Sequence, residues 1–358
     1  MSNQSSRKKS ISAGKYARLT ALADEHGIIA ALAMDQRGSL QKALSSLAQR
    51  AISTAEFVEF KLLVAEMLTP YASSILLDPQ YGLEAASHRA QGRGLLLAYE
   101  TSGYGKGRQP SLLPGWSVRR IAEAGADAVK VVMYYDPDDE QSVNNEKQAF
   151  AERVGAECQA CDIPFFFEVV SYSDRIPDEK SLEFARVKPG KVKKITQEFS
   201  QARYGVDVLK LEIPVTMRFV AGMDSQYEGP YAYDREEALQ HFHEVGQEAR
   251  IPFIYLSAGV SESVFRASLE LANEAHVPYS GVLCGRATWQ GGLAAYIEGG
   301  KDALRTWLGK QGVQNIEALN EVLQQGAQPW WNIYGGQDQI EIVNGSTLPS
   351  SDHQDNDR

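Results

Sequence analysis

The sequence predicts a single-domain (β/α)8 barrel of the α/β class, the TIM barrel. Short apolar runs of β-type residues alternate with longer segments rich in Ala, Glu, Leu and Lys that have the helical period. Such alternation is typical of a parallel sheet whose crossovers are helices. Eight units over about 300 residues favour a closed barrel over an open doubly wound sheet. No linker or fixed-period repeat divides the chain.

The predicted strands are residues 28–33, 74–77, 94–99, 128–134, 165–170, 208–213, 253–256 and 281–284. Each is followed by a helical or a long mixed segment. The predicted barrel domain covers residues 15–335. Residues 1–14, which are rich in Ser and Lys, and residues 345–358, which are rich in Asp, Ser and Gln, are predicted to be flexible tails.

The composition is that of a globular protein, with 43% hydrophobic and 23% charged residues. A net charge of −10 argues against a general nucleic-acid binder, which presents a basic surface. No apolar run approaches the roughly 20 residues of a membrane span, and the start of the chain lacks the apolar core of a secretory signal. Three cysteines make no disulfide framework and favour a reducing cytoplasm. The sequence leaves homo-oligomer formation open.

Polar residues follow or close every predicted strand. Barrel enzymes build their active sites at the C-terminal ends of the strands, so these residues are expected to face one another. They are Asp35, Gln36 and Arg37, then Asp78, Glu100, Lys130, Glu168, Lys210, Glu212, Ser257 and Arg286.

Two lysines, Lys130 and Lys210, lie inside apolar strand patterns. In residues 206–214 (Val-Asp-Val-Leu-Lys-Leu-Glu-Ile-Pro), alternation places Lys210 and Glu212 on one face and the leucines on the other. For one isolated strand lysine, an ion pair in the barrel is the plainer interpretation. Two lysines beside acids such as Asp35 and Glu168 favour a different one. Burial and a neighbouring cation favour the neutral amine that attacks ketones, and a carboxylate moves the protons. The role of Glu212 stays open between pairing with a lysine and proton transfer.

The turns after the last two strands are typical of a phosphate site. Ser257-Ala258-Gly259 and Gly285-Arg286 are short glycine-bearing turns, and barrels often bind phosphate there. A guanidinium suits phosphate oxygens, so Arg286 favours this interpretation over simple tight turns. A second anion site is not placed. The basic segment 186–194 competes for it with Lys106 and Arg108.

No metal or other cofactor is predicted. The six histidines form no ligand pair at a strand end, and Asp78 with Glu100 is the only alternative pair of ligands. Cys158 and Cys161 form a C-x-x-C without a second pair, which favours core or half-buried cysteines over a zinc site.

With these residues in place, the sequence resembles the class I tagatose-1,6-bisphosphate aldolases, the Schiff-base branch of bacterial lactose and galactose catabolism. The matching segments are residues 27–38, 77–82, 128–135, 164–168, 206–214, 256–259 and 281–286. They follow the family's order and are specific only in combination. The resemblance implies a lyase that splits a ketohexose 1,6-bisphosphate into dihydroxyacetone phosphate and glyceraldehyde 3-phosphate.

The resemblance also implies a role for each matching residue. Lys210 forms the imine with the ketose C2, Glu168 is the acid/base, and Asp35 and Lys130 lie beside the imine and tune or relay protons. One phosphate is held by Gln36, Ser257, Gly259, Gly285 and Arg286. The alternatives are a sulfofructose-phosphate aldolase of the same barrel family, a non-catalytic sugar-phosphate sensor and a metal-dependent aldolase.

Overall fold

Eight parallel strands close into a barrel in the computed structural model, which describes residues 8–103 and 108–345. The strands are β1 Lys9–Ser12, β2 Ile29–Ala33, β3 Ser74–Leu77, β4 Gly94–Ala98, β5 Ala128–Tyr135, β6 Phe165–Ser171, β7 Val208–Glu212, β8 Phe253–Leu256, β9 Gly281–Cys284 and β10 Ile340–Val343. Strands β2 to β9 form the barrel in chain order, and β9 pairs with β2 to close it. The predicted fold class is therefore confirmed, with strand limits within one residue of the predicted ones.

Helices connect the barrel strands and pack around them. They are α1 Ala13–Leu22, α2 Gly38–Ala48, α3 Thr54–Leu68, α4 Leu83–Ser87, α5 Val118–Glu123, α6 Gln141–Ala160, α7 Leu182–Phe199, α8 Arg235–Glu248, α9 Glu262–Glu274, α10 Arg286–Trp289, α11 Gly292–Trp307 and α12 Val313–Gly326. Local sequence signals mark the starts of α3 and α8. Ser53 and Asp234 begin α3 and α8 with capping boxes, in which the cap side chain and the third helical residue bond each other's backbone. Among the described helices, none combines the length and apolar character of a membrane span.

The alternation along β7 separates two cores. Val208 belongs to a cluster of interior residues with Phe166 and Ile254 of the neighbouring strands. Leu209 and Leu211 belong to the larger cluster between the strands and the helices. This division confirms the faces predicted from the sequence, because successive strand side chains point to opposite sides. The interior is apolar towards the strand starts, and its charged side chains lie towards the strand ends.

The two ends of the described chain seal the bottom of the barrel. Strand β1 pairs with β10 in parallel, with Ile11 opposite Ile342. Ile11 and Ile340 pack with Trp330 into the interior cluster, and we call this group the barrel floor. The floor leaves the strand C-terminal ends as the open side of the barrel, which we call the mouth.

Strand β1 differs from the predicted flexible tail of residues 1–14. Lys-Ser-Ile-Ser is too short for a periodic signal, and its partner β10 lies more than 300 residues away in the sequence. Long-range pairing and burial of Ile11 therefore override the local composition. Residues 1–7 and 346–358 lie outside the described residues, so the tails predicted there remain predictions.

We expect the stability of the floor to depend on the buried face of the β1–β10 sheet and not on its exposed face. Ile11→Ala should lower the free energy of unfolding by about 2–4 kcal/mol, because it removes buried methyl groups from a packed cluster. Its register partner Ile342 is 54% exposed, against 8% for Ile11. Ile342→Ala is therefore the matched control, with an expected effect within about 0.5 kcal/mol. Urea unfolding of both variants measures the difference, and equal losses would contradict the assignment of faces.

Candidate active site

The mouth of the barrel holds lysines and carboxylates that the strand register brings together. Lys130 of β5, Glu168 of β6 and Lys210 of β7 each lie two residues after an interior residue, so they point inwards. Glu168 and Lys210 are register partners on adjacent strands. All three are buried. The cluster also includes Asp35, which lies two residues past the end of β2.

Lys210 has one carboxylate partner among the described residues. Its Nζ lies 2.8 Å from Oε2 of Glu168. The same oxygen lies 2.9 Å from Nζ of Lys130, so Glu168 bridges the two amino groups. A carboxylate in this position can accept a proton from the Lys210 ammonium group and return it.

Lys130 is surrounded by carboxylates. Besides Glu168, its Nζ lies 2.9 Å from Oδ2 of Asp35 and 3.0 Å from Oε1 of Glu100. Burial alone would lower the pKa of Lys130, but the three carboxylates outweigh it and hold that pKa well above its ordinary value. Lys130 is therefore a permanent ammonium ion next to Lys210.

The pKa values of the carboxyl groups are set by the same two opposing effects, burial and the charges of the lysines. Burial would raise the pKa values of Asp35 and Glu168, yet the charges of Lys130 and Lys210 hold both below their ordinary values. For Glu100, burial prevails and raises the pKa although Lys130 opposes the shift. Asp35 and Glu168 are thus ionised at neutral pH and available as bases.

Glu212 lies two residues after Lys210 at the end of β7. Its Oε2 accepts hydrogen bonds from the backbone N–H of Ser171 at 2.7 Å and from the Ser171 hydroxyl at 2.5 Å. Its Oε1 lies 3.4 Å from Nζ of Lys188. These contacts tie β7 to the end of β6 and to α7. Of the two roles left open by the sequence, the geometry favours pairing with a lysine.

The predicted phosphate residues converge in a second group. Gly259 has a φ of +75°, and a Cβ there would lie 2.5 Å from Cζ of Arg286. The guanidinium therefore covers the turn after β8, where only glycine leaves it room. A Cβ at Gly285 would lie 3.2 Å from Nε2 of Gln36. Ser257 is buried in the same turn as Gly259. Among the residues that the structure describes, the Oε1 atom of Gln36 is buried without a hydrogen-bond partner.

The structure adds residues to which the sequence gave no role. Nη2 of Arg37 donates to the backbone oxygen of Glu100 at 2.7 Å, and its Nη1 donates to Oε1 of Gln80 at 3.2 Å. The positions of Arg37, Gln80 and Glu100 after strand ends predicted that they lie at the mouth. Those positions did not predict which of them would bond to one another. Lys61 on α3 forms a fully buried ion pair with Asp78. A helical lysine carries no sequence signal for such burial.

Several of the basic residues considered for a second anion form ion pairs. Arg108 lies 2.5 Å from Glu179, and Lys191 contacts Asp136 as well as Asp138. Lys106 lies outside the described residues. The acidic partners in these pairs follow the C-terminal ends of two strands: Asp136 and Asp138 follow β5, and Glu179 follows β6.

The candidate metal ligands are bonded to lysines. Asp78 pairs with Lys61, and Glu100 pairs with Lys130. In residues 8–103 and 108–345, no group of three or more His, Cys, Asp or Glu side chains is arranged to hold a metal ion.

We expect Lys130→Met to destabilise the protein in a pH-dependent manner. At neutral pH it leaves buried carboxylates without their cation, which costs about 3–5 kcal/mol of unfolding free energy. In the wild type, the lowered pKa values of Asp35 and Glu168 contribute stability above about pH 4, which is lost as the pH falls through the folded-state values. In the variant, protonation at low pH relieves the repulsion.

The stability gap between wild type and Lys130→Met should therefore narrow as the pH falls from 7 to about 4. Urea unfolding at a series of pH values measures it. Lys42→Met, at an exposed lysine of α2, is the control and should stay within about 0.5 kcal/mol throughout. A gap that is constant with pH would rule out the charge balance described for this cluster.

Comparison with known proteins identifies relatives over nearly the whole chain. A family model described as DeoC/LacD family aldolase matches residues 29–291. A tagatose 1,6-diphosphate aldolase of Listeria monocytogenes serotype 4a (strain HCC23) is 49% identical over 336 residues, which cover 93% of this chain and 98% of the relative. One of Staphylococcus aureus (strain JH9) is 50% identical over 319 residues, covering 88% and 97%.

A solved structure shares the fold at much lower sequence similarity. The fructose-bisphosphate aldolase of Plasmodium falciparum, solved in complex with TRAP and a small-molecule inhibitor, superimposes with a TM-score of 0.61. The match covers 90% of this chain and 98% of the other, at 14% identity. At that identity the likeness concerns the barrel architecture alone.

Proposed function

This chain belongs to the DeoC/LacD aldolase family, and we propose that it is a class I aldolase for D-tagatose 1,6-bisphosphate. It is a lyase that reversibly splits the ketose into dihydroxyacetone phosphate and D-glyceraldehyde 3-phosphate. The observation that carries the proposal is the buried Lys210 amine, 2.8 Å from a carboxylate that a second, permanently charged lysine also binds. A phosphorylated substrate and three free cysteines support a cytoplasmic location.

The first half of the reaction forms the imine. Glu168 takes a proton from the Lys210 ammonium, and the neutral amine attacks C2 of the ketose. The resulting carbinolamine loses its hydroxyl as water, with the proton supplied from Glu168. The product is a protonated imine, whose positive nitrogen draws electrons from the C3–C4 bond.

The second half breaks the carbon–carbon bond. A carboxylate removes the proton of the C4 hydroxyl, the C4 carbonyl forms, and the C3–C4 electrons move into the enamine. Glu168 and Asp35 are the carboxylates positioned for this step, and the Lys130 ammonium lies between them. After glyceraldehyde 3-phosphate leaves, C3 of the enamine is protonated. Water then hydrolyses the imine, which releases dihydroxyacetone phosphate and returns Lys210 to its amine.

The phosphate group nearest the imine would bind in the turns after β8 and β9. The Arg286 guanidinium supplies charge, and the Ser257 hydroxyl and the Gln36 amide supply hydrogen-bond donors. Gly259 and Gly285 let these turns pack closely, since a Cβ at Gly259 would meet the Arg286 guanidinium and one at Gly285 would meet the backbone oxygen of Ala33. This arrangement anchors one end of the substrate and so sets C2 over Lys210.

We expect borohydride to trap substrate on Lys210. Reduction in the presence of dihydroxyacetone phosphate should add one reduced fragment to the wild type, because borohydride fixes an imine as a secondary amine. Intact-mass spectrometry followed by peptide mapping should place the fragment on Lys210. Lys210→Ala should lose both the adduct and turnover, whereas Lys188→Ala should keep the adduct. An adduct that persists on the Lys210→Ala protein would disprove the assignment.

The same preparations settle the substrate. Turnover of tagatose 1,6-bisphosphate should exceed that of the corresponding 6-sulfonate in kcat/KM and should survive prolonged chelation of metals. Preference for the sulfonate would instead indicate a sulfofructose-phosphate aldolase. Ligand binding without turnover would indicate a sugar-phosphate sensor, and loss of activity on chelation would indicate a metal-dependent enzyme.

We expect Arg286→Ala to weaken substrate binding. Loss of one charge-assisted contact made equally to bound substrate and transition state raises KM about 10- to 100-fold and leaves kcat nearly unchanged. Arg235→Ala, at an exposed arginine of α8 that pairs with Glu274, is the control and should behave as the wild type. Steady-state kinetics separate the two parameters. A fall in kcat at unchanged KM would place Arg286 in the chemical step instead.

A further inference from the structure

We propose that the ion pair Lys61–Asp78, which lies outside the barrel, positions the active-site carboxylates at the mouth. Lys61 and Asp78 would then be positioning residues for the aldol reaction, although neither lies in the lysine–carboxylate cluster. The inference rests on the proposed function, because it concerns the efficiency of the same reaction.

The burial of this pair is unusual for a structural contact. Lys61 projects from α3, and Asp78 directly follows β3. Both side chains are 0% exposed, and Lys61 Nζ also lies 5.2 Å from the centre of the Phe57 ring. Removing two charges from water costs free energy that apolar residues of similar size would not lose. Stability alone therefore does not account for this ion pair. The groups that it holds in place indicate its role.

One arm of the contact fixes the segment that carries Asp35. Lys61 Nζ donates to the backbone oxygen of Met34 at 2.9 Å. The backbone N–H of Met34 donates to the oxygen of Leu76 on β3 at 2.8 Å. The peptide group on each side of Met34 is thus held, and the next residue is Asp35, whose carboxylate lies 2.9 Å from Lys130.

The other arm runs through the turn after β3. Oδ1 of Asp78 accepts from the backbone N–H groups of Gln80 and Tyr81, at 3.0 and 2.9 Å. The Gln80 side chain then accepts from Arg37 at 3.2 Å. Arg37 in turn donates to the backbone oxygen of Glu100 at 2.7 Å.

Both arms end at the same place. Asp35 and Glu100 are two of the three carboxylates around Lys130, and the third, Glu168, bridges to Lys210. A displacement of Lys61 or Asp78 would therefore be transmitted to the cluster through two sets of contacts, one to Asp35 and one to Glu100. Misplacing a catalytic group by about 1 Å can cost about 100-fold in rate, so the positioning is expected to matter for kcat.

The chain offers a matched ion pair that lacks this connection. Lys15 of α1 lies 2.7 Å from Asp207, and their side chains are 11% and 17% exposed. Asp207 also accepts from the backbone N–H of Phe165, the first residue of β6. This pair therefore joins a helix to a strand as Lys61–Asp78 does, but at the floor and away from the mouth.

Lys61→Met and Lys15→Met in the full-length chain separate positioning from stability. Both should lower the urea midpoint of unfolding, because each leaves a carboxylate unpaired. Only Lys61→Met should lower kcat, by about 10- to 100-fold, with KM within about threefold of the wild type. Borohydride trapping with dihydroxyacetone phosphate should still occur on Lys210 but more slowly. Lys15→Met should keep kcat within about twofold.

Asp78→Asn provides the answer if Lys61→Met does not fold. The asparagine Oδ1 still accepts from Gln80 and Tyr81, whereas the charge opposite Lys61 and the Oδ2 acceptor of its hydrogen bond are both lost. We expect kcat to fall, with a changed pH profile of kcat/KM, because the cluster carboxylates move relative to Lys130. Wild-type kcat and pH profile in a folded Lys61→Met or Asp78→Asn protein would overturn the proposal, and so would an equal loss of kcat in Lys15→Met. Absence of turnover and trapping in the wild type would instead refute the proposed function.

Discussion

The ammonium group of Lys130 is the interaction on which the mouth of this barrel depends. Three carboxylates lie within 3.0 Å of it, those of Glu100 and Glu168, which are buried, and that of Asp35, which is partly buried. Carboxylates so close together repel one another and lose hydration, and both effects raise their pKa values. The cation reverses this for Asp35 and Glu168, whose pKa values fall below their ordinary range. The site thus keeps bases at neutral pH within a low-dielectric interior, where their charge acts most strongly.

The barrel keeps this charged layer apart from its apolar layers. Interior residues such as Phe166 and Val208 fill the lower barrel, and the terminal strands β1 and β10 seal it with Ile11 and Ile340. Water and substrate therefore reach the charges from the mouth only. Separation of this kind lets a strand begin as core and end as active site within five residues, as β7 does.

Local sequence patterns predicted most of the fold. They predicted which side chains face the mouth, but not all the contacts that these side chains make. Alternation in β7 placed Lys210 inside correctly, because strand geometry fixes the face of each residue without knowledge of its neighbours. It did not predict that Glu212 binds Ser171, or that Lys61 pairs with Asp78, because those contacts join separate elements. Strand β1 was missed for the same reason, since its hydrogen bonds go to β10 at the other end of the chain. Local sequence patterns do not predict which residues pair across separate elements of the fold.

The charge arrangement also explains why the two inner lysines are not equivalent. Lys130 compensates three carboxylates, so losing its charge would leave them unpaired in the interior. Within the described part of the chain, Glu168 is the only carboxylate paired with Lys210, and Lys130 binds the same Oε2 atom. In the proposed reaction, Glu168 carries the proton of Lys210 while the neutral amine attacks, and once it has returned that proton the ionised carboxylate is compensated by Lys130. The protonated imine then restores a positive charge where the ammonium had been, so the cluster meets it already arranged. In the proposed mechanism, Lys210 can thus act as the nucleophile because Lys130 remains a cation.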